Sequence, residues 1–273
     1  MQDLDHLPPL REVIAAYELR AQKSLGQNFL LDLNLTDKIA RHAGDLSQVN
    51  VIEIGPGPGG LTRSLLRASA KNVFAIEYDP RAVRALEGLR EAADGRLEII
   101  QGDALEIDLT AIVPPPRMIV ANLPYNIATP LLIGWLAQIR NDSAAFQSMT
   151  LMFQKEVAQR LTAPPGGKTY GRLSVMAGWL CEVKSLFDLP PAAFTPPPKV
   201  TSSVVRFTPK ALPENAPSFE AVEKVTAAAF GQRRKMIRTS LGVYLPQIKA
   251  LGIDETLRAE NLTIAQFIEI SGF

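Results

Sequence analysis

From Val51 onward, short apolar runs alternate with amphipathic stretches. The runs are VIEI (51–54), NVFAIE (72–77), RLEII (96–100), RMIVA (117–121) and SMTLMF (148–153). Between them, periodic apolar positions predict helices at about 61–69, 81–91 and 129–140, each opening near a Thr, Asp-Pro or Thr-Pro signal that suits helix entry. Alternation of this kind predicts an α/β fold with a mostly parallel sheet flanked by helices. Two later β-like runs, VKSLFDL (183–189) and SSVVRF (202–207), are joined by the proline-dense segment PPAAFTPPPK (190–199), a pattern that predicts a closing antiparallel hairpin. The segment TPKALPENAPS (208–218) carries three prolines and no sustained apolar period, and it reads as a linker. Only helical patterns follow, interrupted at Gly242, Pro246 and Gly252, so a small all-α domain is expected over 219–273. The expected organisation is therefore a main domain over 1–207, with an amino-terminal extension over 1–22, then the linker and the helical domain.

Composition narrows the picture only slightly. A length of 273 residues suits one main domain and a smaller one. Hydrophobic residues at 47% and charged residues at 21% are those of an ordinary globular protein, which argues against wholesale disorder or a fibrous repeat. The 29 basic and 28 acidic side chains leave a formal charge of +1, so a polyanionic partner must be held by a local basic face. A single cysteine, Cys181, forms no internal disulfide and reads as a small buried side chain. The amino terminus MQDLDHLPPL has acids and prolines where a signal peptide needs a basic patch and an apolar core, and no apolar run approaches the ~18 residues of a membrane span. A cytoplasmic location without membrane attachment is the expectation. His6 and His42 lie far in sequence from the strand ends and read as surface or structural residues.

Candidate chemistry begins at VIEIGPGPGGLT (51–62), an apolar strand followed by Gly55, Gly57, Gly59 and Gly60 and then a helix. Glycines there let a ligand approach the backbone closely at the carboxyl end of a strand, where open α/β sheets bind ligands. Gly55, Gly57 and Gly60 also satisfy the dinucleotide pattern GxGxxG, so the loop alone leaves nicotinamide and S-adenosylmethionine both open. Glu77, 22 positions after Gly55, can accept hydrogen bonds from ribose hydroxyls, a group that both cofactors carry. Asp103 in QGDAL ends the third strand and can accept from an adenine amino group; a helix N-cap or a solvated turn is the alternative reading of each acid.

The most specific segment is ANLPYNIATP (121–130), after the fourth strand. With KSLGQNFL (23–30), the glycine loop, AIEYDP (75–80), QGDAL, FTPPPKVTSSVV (194–205), FGQRRKMIRTSL (230–241) and RAENLTIAQFIEI (258–270), it resembles the ribosomal RNA adenine dimethyltransferases in order along nearly the whole chain. The resemblance implies a Rossmann-like class I methyltransferase sheet and S-adenosylmethionine as cofactor, with S-adenosylhomocysteine as product and no metal required. It also implies conversion of two adjacent adenosines in a 3′-terminal hairpin loop of small-subunit rRNA to N6,N6-dimethyladenosine, linked to late subunit biogenesis. The adenine amine is a poor nucleophile because its lone pair is delocalised into the ring. The side-chain oxygen of Asn122 and the carbonyl of Leu123 can accept its two N–H groups and aim that pair at the methyl carbon. Pro124 stiffens the turn, and Tyr125 offers a face for stacking an unstacked base.

The family pattern further implies cofactor contacts at Gln27, Asn28, Leu30, Gly55, Gly57, Glu77, Asp103, Ala104 and Asn122, with Phe29 in the same closing motif. It places Phe194 opposite Tyr125 across the target base; a core phenylalanine is the alternative reading. Arg233, Arg234, Lys235 and Arg238 supply a candidate phosphate-binding face, with a solvated face as the alternative, and Lys155, Arg160, Lys168 and Arg172 border a Pro-Gly-rich loop as further candidates. The expected partner is rRNA within the small ribosomal subunit, not DNA, and a monomer is the default. A nicotinamide oxidoreductase would need a proton donor that NLPY does not offer. A DNA adenine methyltransferase would carry Asp or Ser at position 122 and a second proline. A large-subunit rRNA methyltransferase and a non-catalytic assembly factor remain as rivals. The extension before KSLGQNFL, containing REVIAAYELR, is either a packed cap or a helix that rearranges on RNA binding.

Overall fold

The computed structural model describes residues 4–19 and 26–272. Lys23, Ser24 and Leu25 of the KSLGQNFL motif lie outside the described residues. In chain order the elements are α1 (Leu10–Ala16), β1 (Phe29–Leu30), α2 (Leu33–Ala43), β2 (Asn50–Ile54), α3 (Gly60–Arg67), β3 (Asn72–Glu77), α4 (Pro80–Ala92), β4 (Leu97–Gln101), α5 (Leu109–Ile112) and β5 (Arg117–Ala121). They continue with α6 (Ala128–Asn141), β6 (Ser148–Gln154), α7 (Lys155–Leu161), α8 (Arg172–Leu180), β7 (Cys181–Leu189), β8 (Phe194–Thr195), β9 (Ser202–Pro209), α9 (Phe219–Gly231), α10 (Ile237–Ser240), α11 (Leu245–Ala250) and α12 (Ile264–Ser271).

Among the described residues the main sheet has seven strands in the order β4-β3-β2-β5-β6-β9-β7. The pairs β3–β4, β2–β3, β2–β5 and β5–β6 are parallel. Strands β2 and β3 are buried almost throughout, which is why they read as unbroken apolar runs. The chain winds outward from β2 to β4 and then returns to lay β5 on the other side of β2. That reversal opens a crevice beyond the carboxyl ends of β2 and β5, the usual ligand position in such sheets. As expected, the run ending in SSVVRF closes the sheet beside VKSLFDL, with β9 inserted between β6 and β7.

Local signals explain most element starts. Asp79 caps α4 by accepting from Arg81 N–H, and Pro80 occupies the first turn, where its missing N–H costs nothing. Asp32 caps α2, Ser218 caps α9, and Thr263 with Gln266 forms a capping box at α12. Sequence periodicity misses α2 because its buried face includes Thr36, Ala40 and Ala43, side chains with a weak apolar signal.

Contacts divide the chain into two compact units, and the division differs from the linear one expected at 207. One unit holds the described residues up to Trp135, with Ala144–Lys155 and Ser185–Arg206; the other holds Leu136–Ser143, Glu156–Lys184 and the residues from Phe207 onward. The physical reason is packing. Tyr170 and Val175 join the core that Val225, Ala229, Ile237, Leu262, Phe267 and Ile270 build. Gly178 permits the close approach of α8 and α12, since a Cβ there would lie 2.6 Å from Ile264 Cδ1. The expected linker is also shorter and tied down: β9 runs to Pro209, and Arg140 donates to the carbonyls of Ala216 and Pro217 at 2.5 and 2.7 Å. Pro246 begins α11 instead of breaking a helix, whereas Gly252, at φ +65°, follows its end.

In the first unit the extension is a packed element. Val13 and Leu19 form a buried cluster with Ala82 and Ala85 of α4. Arg63 donates to Pro8 O at 2.8 Å and Arg81 to Glu18 O at 3.0 Å.

Candidate active site

The crevice beyond β2, β3, β4 and β5 contains a cavity of about 320 Å3, built wholly from the first unit. Its floor is the turn after β2. Gly55 and Gly57 have φ of +65° and +55°, conformations that L side chains rarely adopt. A Cβ on Gly57 would also come within 2.9 Å of the Phe29 ring, and one on Gly60 within 2.8 Å of Leu30 O. The QNFL segment and the glycine loop therefore interlock, with little room for any side chain at these glycines.

Glu77 ends β3 and lines the cavity. Its Oε2 accepts from Gly57 N–H at 3.1 Å and its Oε1 from Asp79 N–H at 2.8 Å. Burial pushes this carboxyl up, and the two backbone donors oppose the shift. Glu53, two residues before Gly55, also lines the cavity and is only 2% exposed. Among the described residues its Oε2 has no hydrogen-bond partner, and burial, opposed by the neighbouring Thr62 hydroxyl and reinforced by the Glu77 charge, holds its carboxyl at about 8. Sequence reading missed Glu53 because an acid inside VIEI looks like the polar half of an alternating strand; only the fold shows that it lines the cavity. Asp103 lines the same cavity while accepting from Leu105 N–H at 2.9 Å, so it also closes a turn, and no described helix starts there. Gln27, Asn28, Leu30, Ala104 and Leu123 all line the cavity, as does Tyr78, which is 62% exposed.

The NLPY turn forms the opposite wall. Asn122 donates from Nδ2 to the backbone carbonyl of Asn28 at 3.1 Å. A carbonyl can only accept, so this contact fixes the amide orientation and leaves Oδ1 as the acceptor. Gly26, at φ +62°, lies against the same turn: a Cβ there would stand 2.5 Å from Asn126 Oδ1. Pro124 packs over Gly55, 3.6 Å from where a Cβ would be. Tyr125 lines the cavity, and its hydroxyl pairs with Ser202 Oγ at 2.6 Å. Burial pushes the Tyr125 phenol up, with the Ser202 bond opposing, so the hydroxyl is protonated at neutral pH.

Two of the expected site residues are engaged within the fold. Phe194 is 3% exposed, packs with Leu30, Leu189 and Val204, and lies in β8, whose backbone pairs it with Leu30. Arg233 is not a free phosphate ligand. It donates to Glu260 at 2.7 Å and to the carbonyls of Gly167 and Lys168 at 3.4 and 2.6 Å, bracing the Pro-Gly-rich loop within the second unit. Its neighbours Arg234, Lys235 and Arg238 are exposed. Lys155, Arg160 and Arg172 are held in ion pairs with Asp188, Glu156 and Glu223. No group of three or more His, Cys, Asp or Glu able to hold a metal occurs among the described residues. No described helix is long and apolar enough to cross a membrane.

A parallel sheet with a glycine-floored cavity at its topological switch point, acids at the ends of three successive strands and an NLPY wall define a Rossmann-like class I methyltransferase. The family model for ribosomal RNA adenine dimethylase matches residues 18–273. The chain is 56% identical to ribosomal RNA small subunit methyltransferase A of Rhodospirillum rubrum, over 98% of this chain and 92% of that protein. It is 55% identical to the protein of the same name from Paracoccus denitrificans, over 99% and 97%. Among solved structures, a dimethyladenosine transferase from Plasmodium falciparum superposes with a TM-score of 0.75 at 26% identity, covering 88% of this chain and 94% of that one. The 23S rRNA methyltransferase ErmE gives 0.65 at 26% identity, over 89% and 98%. The chain belongs to the ribosomal RNA adenine dimethylase family. It is an S-adenosylmethionine-dependent enzyme.

Proposed function

We propose that the chain dimethylates N6 of two adjacent adenosines in a hairpin loop near the 3′ end of small-subunit rRNA, within the subunit and late in its assembly. The observation that carries this reading is the Asn122–Asn28 hydrogen bond, which presents Asn122 Oδ1 as an acceptor on the wall facing the glycine floor. The small-subunit target is supported by the names of relatives that match this chain nearly end to end.

The cavity suits the cofactor on its own terms. In this reading Glu77 accepts from ribose hydroxyls and Asp103 from an adenine amino group. The unpartnered oxygen of Glu53 offers an acceptor to a cationic amino group. When bound, S-adenosylmethionine supplies a methyl group activated on a sulfonium. The protein's part is positional: in the first transfer Asn122 Oδ1 and the Leu123 carbonyl accept the two amine hydrogens and draw the nitrogen lone pair out of conjugation with the ring, and in the second the one remaining N–H is held by one of these acceptors. Tyr125 presents a face to the extruded base. No strong base is required beforehand, because the nitrogen becomes cationic and its N–H acidic only as the methyl is transferred, and that proton then leaves to solvent. Exposed Arg234, Lys235 and Arg238 contact RNA phosphates in this reading.

The test is transfer of label from S-adenosylmethionine to unmethylated small subunits, with large subunits in parallel and nucleoside analysis of the product. N6,N6-dimethyladenosine in the small-subunit rRNA is the expected result. Label confined to large subunits, or cofactor binding with no product, overturns it.

A further inference from the structure

Tyr125 sits on a turn, yet a stacking platform needs a fixed position. The χ1 torsion lets the ring swing about Cα–Cβ, so the backbone of the turn does not by itself set where the ring lies. The far end of the ring is anchored instead: its hydroxyl meets Ser202 Oγ at 2.6 Å, across 77 positions of sequence. Ser202 opens β9 and is 0% exposed. Its mount is stiff on both sides. Thr201 O accepts from Lys155 N–H at 2.9 Å, and Ser203 Oγ donates to Asp188 at 2.6 Å, a carboxylate that also holds Lys155 Nζ at 2.6 Å. The hydroxyl of a buried serine on a sheet strand is thus spent on a residue of the active-site wall.

We propose that Ser202 is a positioning residue for methyl transfer, fixing the position of the Tyr125 ring against which the target adenine stacks. The proposal rests on the reading of Tyr125 as the base platform. Ser202 touches neither substrate nor cofactor and acts only through the Tyr125 hydroxyl. With the bond intact, the ring is held at both Cβ and Oη, and the base meets a ready surface. Without it, the ring swings about χ1 to positions in which the amine is misaligned with Asn122.

The experiment is a double-mutant cycle on the full chain with unmethylated small subunits as substrate, reading kcat/KM for methyl transfer beside cofactor affinity and melting temperature. Ser202→Ala and Tyr125→Phe each lower kcat/KM by about five- to ten-fold, the factor expected for one neutral hydrogen bond. The double variant shows the loss of either single one and no more, because both remove the same bond. Cofactor affinity stays at the wild-type value in Tyr125→Phe, which cuts the bond from the cavity side without opening the buried strand. Should Ser202→Ala lose stability, Tyr125→Phe carries the test. Full activity in Tyr125→Phe, or losses that multiply in the double variant, overturns the proposal. Tyr125→Ala separates the two readings: a severe loss there with a silent Tyr125→Phe rejects only the Ser202 role, whereas an unaffected Tyr125→Ala rejects the platform itself.

Discussion

At the scale of single residues, the site is organised by where hydrogen-bond partners run out. Asn122 spends its amide donor on Asn28 O, which in the proposed mechanism keeps its acceptor for the substrate. Asn122→Ala is expected to lower turnover by roughly 10²-fold while leaving cofactor affinity within about three-fold, as for loss of one oriented group at a reacting centre. Single-turnover transfer and a cofactor titration check it, and undiminished turnover removes Asn122 from the chemistry. Glu53 is the opposite case, a buried carboxyl with one oxygen unpartnered. Its pKa lies near 8 in the fold against an ordinary value of 4.5, so folding takes up a proton between those limits. The cofactor-free protein therefore loses stability from this group as pH rises from about 5 to about 8. Glu53→Gln has no such slope, and its stability advantage over wild type should widen across that range in thermal melts. A difference that stays constant with pH contradicts the assignment.

At the scale of elements, segments far apart in sequence interlock around the cavity, and the amino-terminal extension belongs to that assembly. Its sequence left a packed cap and a rearranging helix both open. In the structure α1 and the turn after it lie on α4, with Leu19 fully buried beside Val13, Ala82 and Ala85. Leu19→Ala should cost about 2–5 kcal/mol, the range for emptying a packed leucine site. Denaturant titration measures this, and a midpoint equal to wild type would mean that the extension contributes no packing. Elements with strong periodic or capping signals, such as β3 and α4, were legible to within a residue or two. The short β1–β8 ladder was not, because two residues have no period and their pairing joins positions more than 160 apart.

At the scale of the whole molecule, the near-neutral charge forces RNA attraction into local faces. Arg234 and Arg238 are exposed, whereas Arg233 is a brace. Reversing the first two to Glu should weaken binding to small subunits and reduce the salt slope by about one unit for each RNA phosphate that is no longer neutralised. Arg233→Glu should instead lower stability, since it sets like charge against Glu260. A salt slope unchanged in the double reversal sinks the phosphate-binding face. The succession of strands, the glycine loop, Glu77 and Asp103 at the strand ends and the NLPY wall were readable from the chain, because each depends on a local period or on a motif whose spacing the backbone enforces. Tertiary structure alone decided that Phe194 is core, that Arg233 is a strut, that Glu53 faces the cavity, and that α8 packs with the carboxyl-terminal helices. Those outcomes depend on which distant partner reaches a side chain first, and that is a property of packing which no local pattern encodes.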